Sequence, residues 1–555
     1  MPPLIEGEVR PGQQGVARTA IVGREIIEIP LTVLGVLDDQ LGAGIDLYLV
    51  RLEGPIAEEV GVAAGMSGSP VFIDGRLVGA LSYRMGSLPT SAIAGVTPIH
   101  AMLDARRYGA SAETPTLSLS DGMVQPIGTP VHVSGLHGAL RGWTAERLSE
   151  MGMTLVPGAG EDPTIGDAAN LVGGSPVGVA LTRGDLSITA TGTVTMVDGQ
   201  TVWAFGHPFM GRGRVEMPMV HAEVVHTLGD LAGSSKLART GRVLGAIVED
   251  RLTAVVGEIG RQAAMIPMTI SLAQEGRLEE PLRIEVVRHD ALTPLLLAVA
   301  SANVLSNRLG VESEMTIYAH ARVRLQGHEP LVLESMNSGS GGAVAFGLAA
   351  DLQASIGALW DNPYEPLEIE GVDVTLRASP ERREYRLVEL QYDRGALRPG
   401  ELLRVRCVME SYRGDRRVET LEVALPRDVD FERLALAVGS PTDVARALGR
   451  RDLRRALSAV DLDPLLQIVS QRRPAHQLTA VLYRFADGVA HRGLSLGELP
   501  PTARRLIGDG TTLRRNVVDR IVEFDRVEFP LDGPVTGGLV LGLQIDPKLE
   551  PETRP

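Results

Sequence analysis

The chain has 555 residues, 44% of them apolar but only 4% aromatic, and a formal net charge of −15. That length allows about three or four domains, and the 63 glycines and 35 prolines point to many turns and short strands. Acidic and basic residues are interleaved with no basic block, which argues against nucleic acid or an anionic membrane surface as a partner, and the single cysteine, Cys407, excludes intrachain disulfides and cysteine-based zinc sites.

The chain opens Met-Pro-Pro-Leu-Ile-Glu-Gly-Glu, with no basic stretch and no apolar stretch of the signal-peptide kind. No uninterrupted apolar run reaches about 18 residues, so no membrane span is expected. Residues 1–110 read as β-rich: Val16–Val22, Ile26–Val36 and Asp46–Leu52 run or alternate apolar at strand length, and a hairpin turns at Asp74-Gly75. A short helix is expected over 101–107. Residues 111–175 read as an irregular connecting segment with one helix, Thr144–Met151. Residues 176–275 form a second β-rich block, in which Leu186–Val197 and Thr201–Phe205 make a hairpin around Asp198-Gly199. The stretch 276–364 is expected to be α+β, with apolar helices Leu292–Ser306 and Ala343–Trp360. An Ig-like β-sandwich is expected over 365–427, holding Cys407 as a buried, inert thiol. Residues 428–555 read as helical to about 507 and then β.

The most informative run is Gly65-Met66-Ser67-Gly68-Ser69-Pro70, followed by the hairpin Val71–Tyr83. Glycines on both sides of Ser67 allow a sharp turn that presents the hydroxyl beside bare N–H groups, so Ser67 is a candidate nucleophile, and the N–H groups of Gly65 and Ser67 are a candidate oxyanion hole. Strand Leu77–Tyr83 would offer an edge to a peptide. The alternative is a Gly/Ser/Pro turn with no chemistry. Among the 11 histidines, His207 is the candidate base, because it follows a strand directly, after Gly206, and is held by Pro208; a structural histidine is the alternative. His221 and His226 flank Glu223 at a spacing that fits no single metal-binding face. Ser338–Gly342 reads as a flexible loop, lacking the Gly-Lys-Ser/Thr ending of a phosphate cradle. Gly174-Ser175-Pro176-Val177 repeats part of the serine motif but lacks its preceding Ser-Gly.

Gly65–Pro70 closely resembles the nucleophile segment of the SpoIVB peptidase family (S55), the sporulation serine proteases of bacteria. Gly192-Thr193-Val194-Thr195, leading through Asp198-Gly199 to Ala204-Phe205-Gly206-His207, resembles that family's histidine segment, and Lys236-Leu237-Ala238-Arg239 matches a third stretch. The order of the halves is reversed here. The resemblance therefore implies a mainly β, two-lobed trypsin-like β-barrel peptidase domain in circularly permuted form, with a serine half in 1–110 and a histidine half in 176–275. It implies a serine endopeptidase that works through a Ser-His acyl-enzyme, acts on a protein or peptide, its own chain being one candidate, and needs no cofactor or metal. It also implies an extracytoplasmic location. The family's aspartate aligns with Leu52; Glu53 beside it, Asp250 in the histidine half, and a bare Ser67–His207 dyad are the alternatives. The rival to an active enzyme is a pseudo-protease that serves as a protein-binding scaffold.

Overall fold

The computed structural model describes residues 9–549 apart from 87–90, 107–123, 167–170, 231–232, 275, 310–312, 361, 394, 396, 415, 450–460, 471–474, 492–493, 497–499, 501 and 503–516. The protein is mainly β, 55% strand and 17% helix. It divides into two compact units, 1–267 with 283–296, and 268–282 with 297–555.

The first unit begins with strands β1 (Gln14–Ala20), β2 (Ile26–Gly42) and β3 (Ile45–Leu52), helix α1 (Pro55–Val60), and strands β4 (Pro70–Ile73), β5 (Arg76–Met85) and β6 (Ile93–Pro98). Pairings run β1–β2–β3–β6–β5–β4 and return to β1, so these strands close into a six-stranded barrel. The alternation of apolar residues supplies its interior: Ala17, Ile29, Leu31, Val33, Val50, Val71, Ile73, Leu81 and Val96 share one buried cluster with Met66. Asp74 and Gly75, at φ 50° and 72°, make the tight turn between β4 and β5. Helix α2 (Ile99–Asp104) follows, close to the expected position.

The segment expected to be an irregular connector is built into the sheet instead. Strands β7 (Val124–Pro126), β8 (Thr129–Ser134) and β9 (Met153–Pro157) flank helix α3 (Gly138–Ser149). β7 pairs with β5, and β8 pairs with β9 and with a strand of the second block. Pro and Gly mark the ends of these strands and mask their short apolar alternation.

The second block contains β10 (Pro176–Gly184), β11 (Ser187–Asp198), β12 (Thr201–Ala204), β13 (Gly213–Leu228), β14 (Ser235–Arg251) and β15 (Ala254–Ile259). Their pairings run β10–β13–β14–β15–β12–β11 and return to β10, closing a second ring. β11 is buried from Ser187 through Met196, which places Thr189, Thr191, Thr193 and Thr195 on one face by the two-residue period of a strand.

In the second unit, Glu314–Leu325 pairs with Leu331–Ser340 and with Ile369–Ser379, which runs parallel to 268–274. Ser338–Gly342 is not a loop: Ser338–Ser340 pair with Glu314–Thr316, and Gly341 opens helix Gly341–Trp360. That helix is long and apolar enough to cross a membrane, but Val344, Leu348, Leu352, Ile356 and Leu359 are buried. The sandwich also differs from expectation. Tyr385–Tyr392, Leu402–Ser411 and Arg416–Ala424 form one sheet, whereas Ile369–Ser379 belongs elsewhere. The facing sheet comes from Arg433–Gly439, Gln477–His491, Val517–Pro530 and Gly538–Gln544. One core joins the two, with Val405, Cys407, Met409 and Val423 against Leu436, Val438, Leu478 and Leu482. The region read as helical to about 507 thus supplies sandwich strands, Arg433–Gly439 before helix Pro441–Ala447 and Gln477–His491 after helix Leu462–Ser470. Strand identity was readable from alternation, but strand partners lie too far along the chain to be read that way.

Candidate functional site

Ser67 sits in a turn that runs from the last residues before β4 into the barrel wall. Gly65 and Gly68 stand at φ 90° and 94°, in the left-handed region that glycine tolerates. Met66 is fully buried and fills the barrel core beneath the turn. Backbone bonds tie the turn to β5: Gly68 N–H donates to Leu81 O at 2.7 Å, and Leu81 N–H donates to Ser69 O at 2.9 Å. Within the turn, Ser69 Oγ donates to Met66 O at 2.6 Å.

The second ring closes on this turn. Thr193 N–H donates to Ser67 O at 2.8 Å. The Thr193 hydroxyl donates to Gly65 O at 2.8 Å, and the Thr195 hydroxyl to Gly68 O at 2.7 Å. A Cβ on Gly68 would run into the Thr193 carbonyl and come within 2.5 Å of Phe205 N, so the contact between turn and hairpin requires glycine.

His207 follows β12 through two left-handed residues, Phe205 at φ 69° and Gly206 at φ 70°. For a buried phenylalanine this conformation is costly and persists only where the surroundings impose it. The Phe205 ring packs on Gly192 and edge-on to His207, with ring centroids 6.1 Å apart, and Tyr83 meets His207 from the other barrel at 6.4 Å. Thr97 of β6 donates its hydroxyl to Gly206 O at 2.7 Å and is itself bonded to Ser82 Oγ at 2.6 Å. Each ring therefore holds the other's turn: β11 grips the serine turn and β6 grips the histidine turn.

The His207 ring nitrogen Nδ1 lies 2.8 Å from Pro208 O. A carbonyl only accepts, so Nδ1 carries the proton and Nε2 keeps its lone pair. Burial pushes the His207 pKa down to about 4, opposed by the carbonyls of Pro208 and Ile127, so the ring is neutral at neutral pH. His207 is 2% exposed and Ser67 is 0% exposed. Ser67 Oγ and His207 Nε2 are both buried with no hydrogen-bond partner. The structure brings the two residues to one seam, but no hydrogen bond joins Oγ to Nε2.

The remaining sequence candidates are placed differently from expectation. Gly65 N–H donates to Gly128 O at 3.3 Å, so it does not face the Ser67 hydroxyl as a free oxyanion donor. Ser67 N–H has no partner among the described residues. Glu53 lies half-exposed against Thr32 and Arg51, which hold its carboxyl below the usual range, and Leu52 is core. Asp250 is 0% exposed; it accepts from the N–H groups of Phe209, Met210 and Gly211 at 2.7, 2.7 and 2.8 Å and from Arg212 at 3.5 Å. Burial raises its pKa, and those donors oppose the rise. Neither acid reaches the imidazole, because Pro208 O already holds Nδ1. Asp250 instead anchors the loop that follows His207. Strand Leu77–Tyr83 has no open edge, since β5 is paired with β4, β6 and β7. Ser175 Oγ accepts from Val172 N–H and lies in its own turn.

Sequence reasoning passed over Lys236 as a functional side chain. Its Nζ is buried, donating to Thr19 Oγ1 at 2.7 Å and Thr193 Oγ1 at 3.3 Å. Strand parity was the available signal, since Lys236, Ala238 and Thr240 form the buried face of this part of β14. Parity likewise marks the threonine face of β11. Among the described residues, no group of three or more His, Cys, Asp or Glu side chains could hold a metal ion.

Comparison with known proteins finds no match for this chain among family models, curated proteins or solved structures.

Proposed function

We propose that this protein is a serine endopeptidase of the SpoIVB (S55) type, with Ser67 as nucleophile and His207 as general base, on a permuted two-barrel trypsin-like domain. The observation that carries the reading is the seam itself. Two turns from separate closed rings, each clamped by hydroxyls of the opposite ring and the histidine turn strained at Phe205, put an unbonded serine hydroxyl and an unbonded imidazole Nε2 into one buried region. Buried polar atoms without partners are rare, and strained turns concentrate at reactive sites.

In the reaction, Ser67 Oγ attacks a peptide carbonyl carbon as its proton passes to His207 Nε2. Ser67 N–H donates to the oxyanion. The imidazolium then gives its proton to the leaving amine, and the acyl-enzyme is hydrolysed by the same route. The Pro208 carbonyl, in place of a carboxylate, keeps the tautomer this step needs, and Asp250 fixes the loop behind it. A carbonyl lacks the full charge that stabilises an imidazolium, so turnover is slow. With Ser67 and His207 both shut from solvent, reaction also requires the seam to open. The substrate class is a protein or peptide, its own chain being one candidate, and the resemblance implies a location outside the cytoplasm.

A scaffold without catalysis is the second reading. It is favoured by the absence of a Ser67–His207 hydrogen bond and by the engagement of Gly65 N–H with Gly128 O. Covalent labelling by a fluorophosphonate separates the two. Slow labelling of the native chain, lost in Ser67→Ala and reduced in His207→Gln, is the expected result. Equal labelling of native and Ser67→Ala proteins, or none in either, rejects the peptidase reading.

A further inference from the structure

Lys236 is 2% exposed, and among the described residues no carboxylate pairs with its amine. Lysine is almost never buried this way without a counter-charge, because desolvating the ammonium is expensive. The buried amine bridges two hydroxyls, one on each ring. Nζ donates to Thr193 Oγ1, and Thr193 Oγ1 donates to Gly65 O. A second bond to Thr19 Oγ1 of β1 fixes the other side of the amine. The lysine's own backbone N–H donates to Ala64 O at 3.0 Å, and its Cβ and Cδ would each lie 3.3 Å from a Cβ on Gly65. Backbone, stem and amine thus all bear on the two residues that lead into Ser67.

We propose that Lys236 is a positioning residue of the Ser67 site: its amine orients the Thr193 hydroxyl that holds the Gly65 carbonyl, and so sets the turn that presents Ser67. This rests on the peptidase reading for its catalytic meaning, but the positioning itself is a property of the turn. A hydroxyl that accepts from an amine donates more strongly through its own proton, so the Lys236–Thr193 bond strengthens the hold on Gly65 O, while burial opposes the charged form of the amine.

Burial alone brings the Lys236 pKa down to about 7, which puts the loss of its charge near neutral pH. None of the other ionisable groups on the surrounding elements bonds to Lys236 Nζ. Arg18 of β1 pairs with Glu28 on the outside. His132 of β8, bonded to Thr191 Oγ1 and Ala238 N–H, is held down to about 4. β11 carries only Asp198, at its turn, and the segment 63–67 carries none. On β13, Thr227 faces Lys236, while Glu223 pairs with Arg24 and His226 is exposed opposite Leu237.

The test uses the full chain with Lys236→Met, Thr193→Val and the double variant. Two quantities are read between pH 6 and 9: the rate of fluorophosphonate labelling at Ser67, and amide hydrogen exchange over 63–69 corrected for intrinsic pH dependence. Each single variant is expected to label about tenfold more slowly and to exchange about tenfold faster over 63–69, as loss of one buried bond implies, and the double variant is expected to be no worse than the poorer single. Because burial lowers the Lys236 pKa in the closed seam, an opened turn takes up the proton first, so native protection over 63–69 should strengthen as pH rises through about 7. That inflection should vanish in Lys236→Met and survive in His226→Gln. The melting temperature of Lys236→Met at pH 7 should match or exceed the native value, since methionine fills the site without burying an amine; a merely structural side chain would give the opposite. Native-like labelling and exchange in Lys236→Met, or additive losses in the double variant, overturn the proposal. If the native chain shows no Ser67 labelling, the peptidase reading falls and the exchange arm alone decides the positioning role.

Discussion

Gly68→Ala should be among the most damaging single-methyl additions to this chain. The new Cβ would enter the Thr193 carbonyl and approach Phe205 N to 2.5 Å, and both obstacles are backbone of the central hairpin. Alanine at φ 94° adds left-handed strain of about 1–2 kcal/mol. To clear the carbonyl, the serine turn must withdraw from β11, which breaks Thr193 N–H to Ser67 O and Thr195 Oγ1 to Gly68 O, 2.8 and 2.7 Å in the native seam. Two lost buried bonds cost about 1–3 kcal/mol each. The expected destabilisation is therefore about 3–8 kcal/mol, strain and both bonds together. Gly75→Ala is the matched control: φ is 72° there, but a Cβ meets nothing within 4 Å, so strain alone, about 1–2 kcal/mol, is expected. Urea unfolding followed by tryptophan fluorescence in a Trp360→Phe background reads the first unit alone, through Trp143 and Trp203. Equal midpoints for Gly68→Ala and Gly75→Ala would refute the reasoning, because they would show the seam yielding at no cost.

Two further outcomes follow from buried charge. His207 and His132 are both held down to about 4 by burial, below the ordinary 6.5. The unfolded chain therefore takes up protons first as pH falls, so stability is fully present above about pH 6.5 and is lost toward pH 4, by about 3 kcal/mol per histidine. Urea midpoints at pH 7.5 and 4.5 measure this, and His132→Gln should remove about half of the difference; equal midpoints at the two pH values would contradict it. Asp250→Asn replaces an acceptor of four N–H groups with one oxygen and an opposed NH2. It should cost about 3 kcal/mol or more in unfolding experiments and slow Ser67 labelling with no change in the tautomer-fixing bond to Pro208.

Much of the site was legible because its requirements are local. The glycines beside Ser67 and the Gly-His-Pro run each announce a turn, and the Asp-Gly pairs announce hairpins within a few residues of them. The geometry that decides chemistry is not local. Pro208 O occupies Nδ1, a role no sequence pattern assigns to a carbonyl, and Asp250, expected as an alternative acid for His207, serves the backbone of 209–212 instead. Gly65 N–H is taken by Gly128, 63 positions along the chain, and β5 loses its open edge to β7, which the sequence disguised as connector. Lys236 was hidden by its charge: a lysine in a strand is normally assigned to solvent, and only the parity of β14 contradicts that.

The crossed clamps of the two rings have a consequence for ancestry. Because Thr193 and Thr195 of one ring secure the serine turn, and Thr97 of the other secures the histidine turn, neither ring carries a finished half-site. The seam is specified by the meeting of two surfaces, and the peptide that links them adds contacts of its own at Ile127 and Gly128. Such a site is indifferent to which ring the ribosome makes first, so a gene could be cut and rejoined between the rings wherever the cut leaves Ile127 and Gly128 in place.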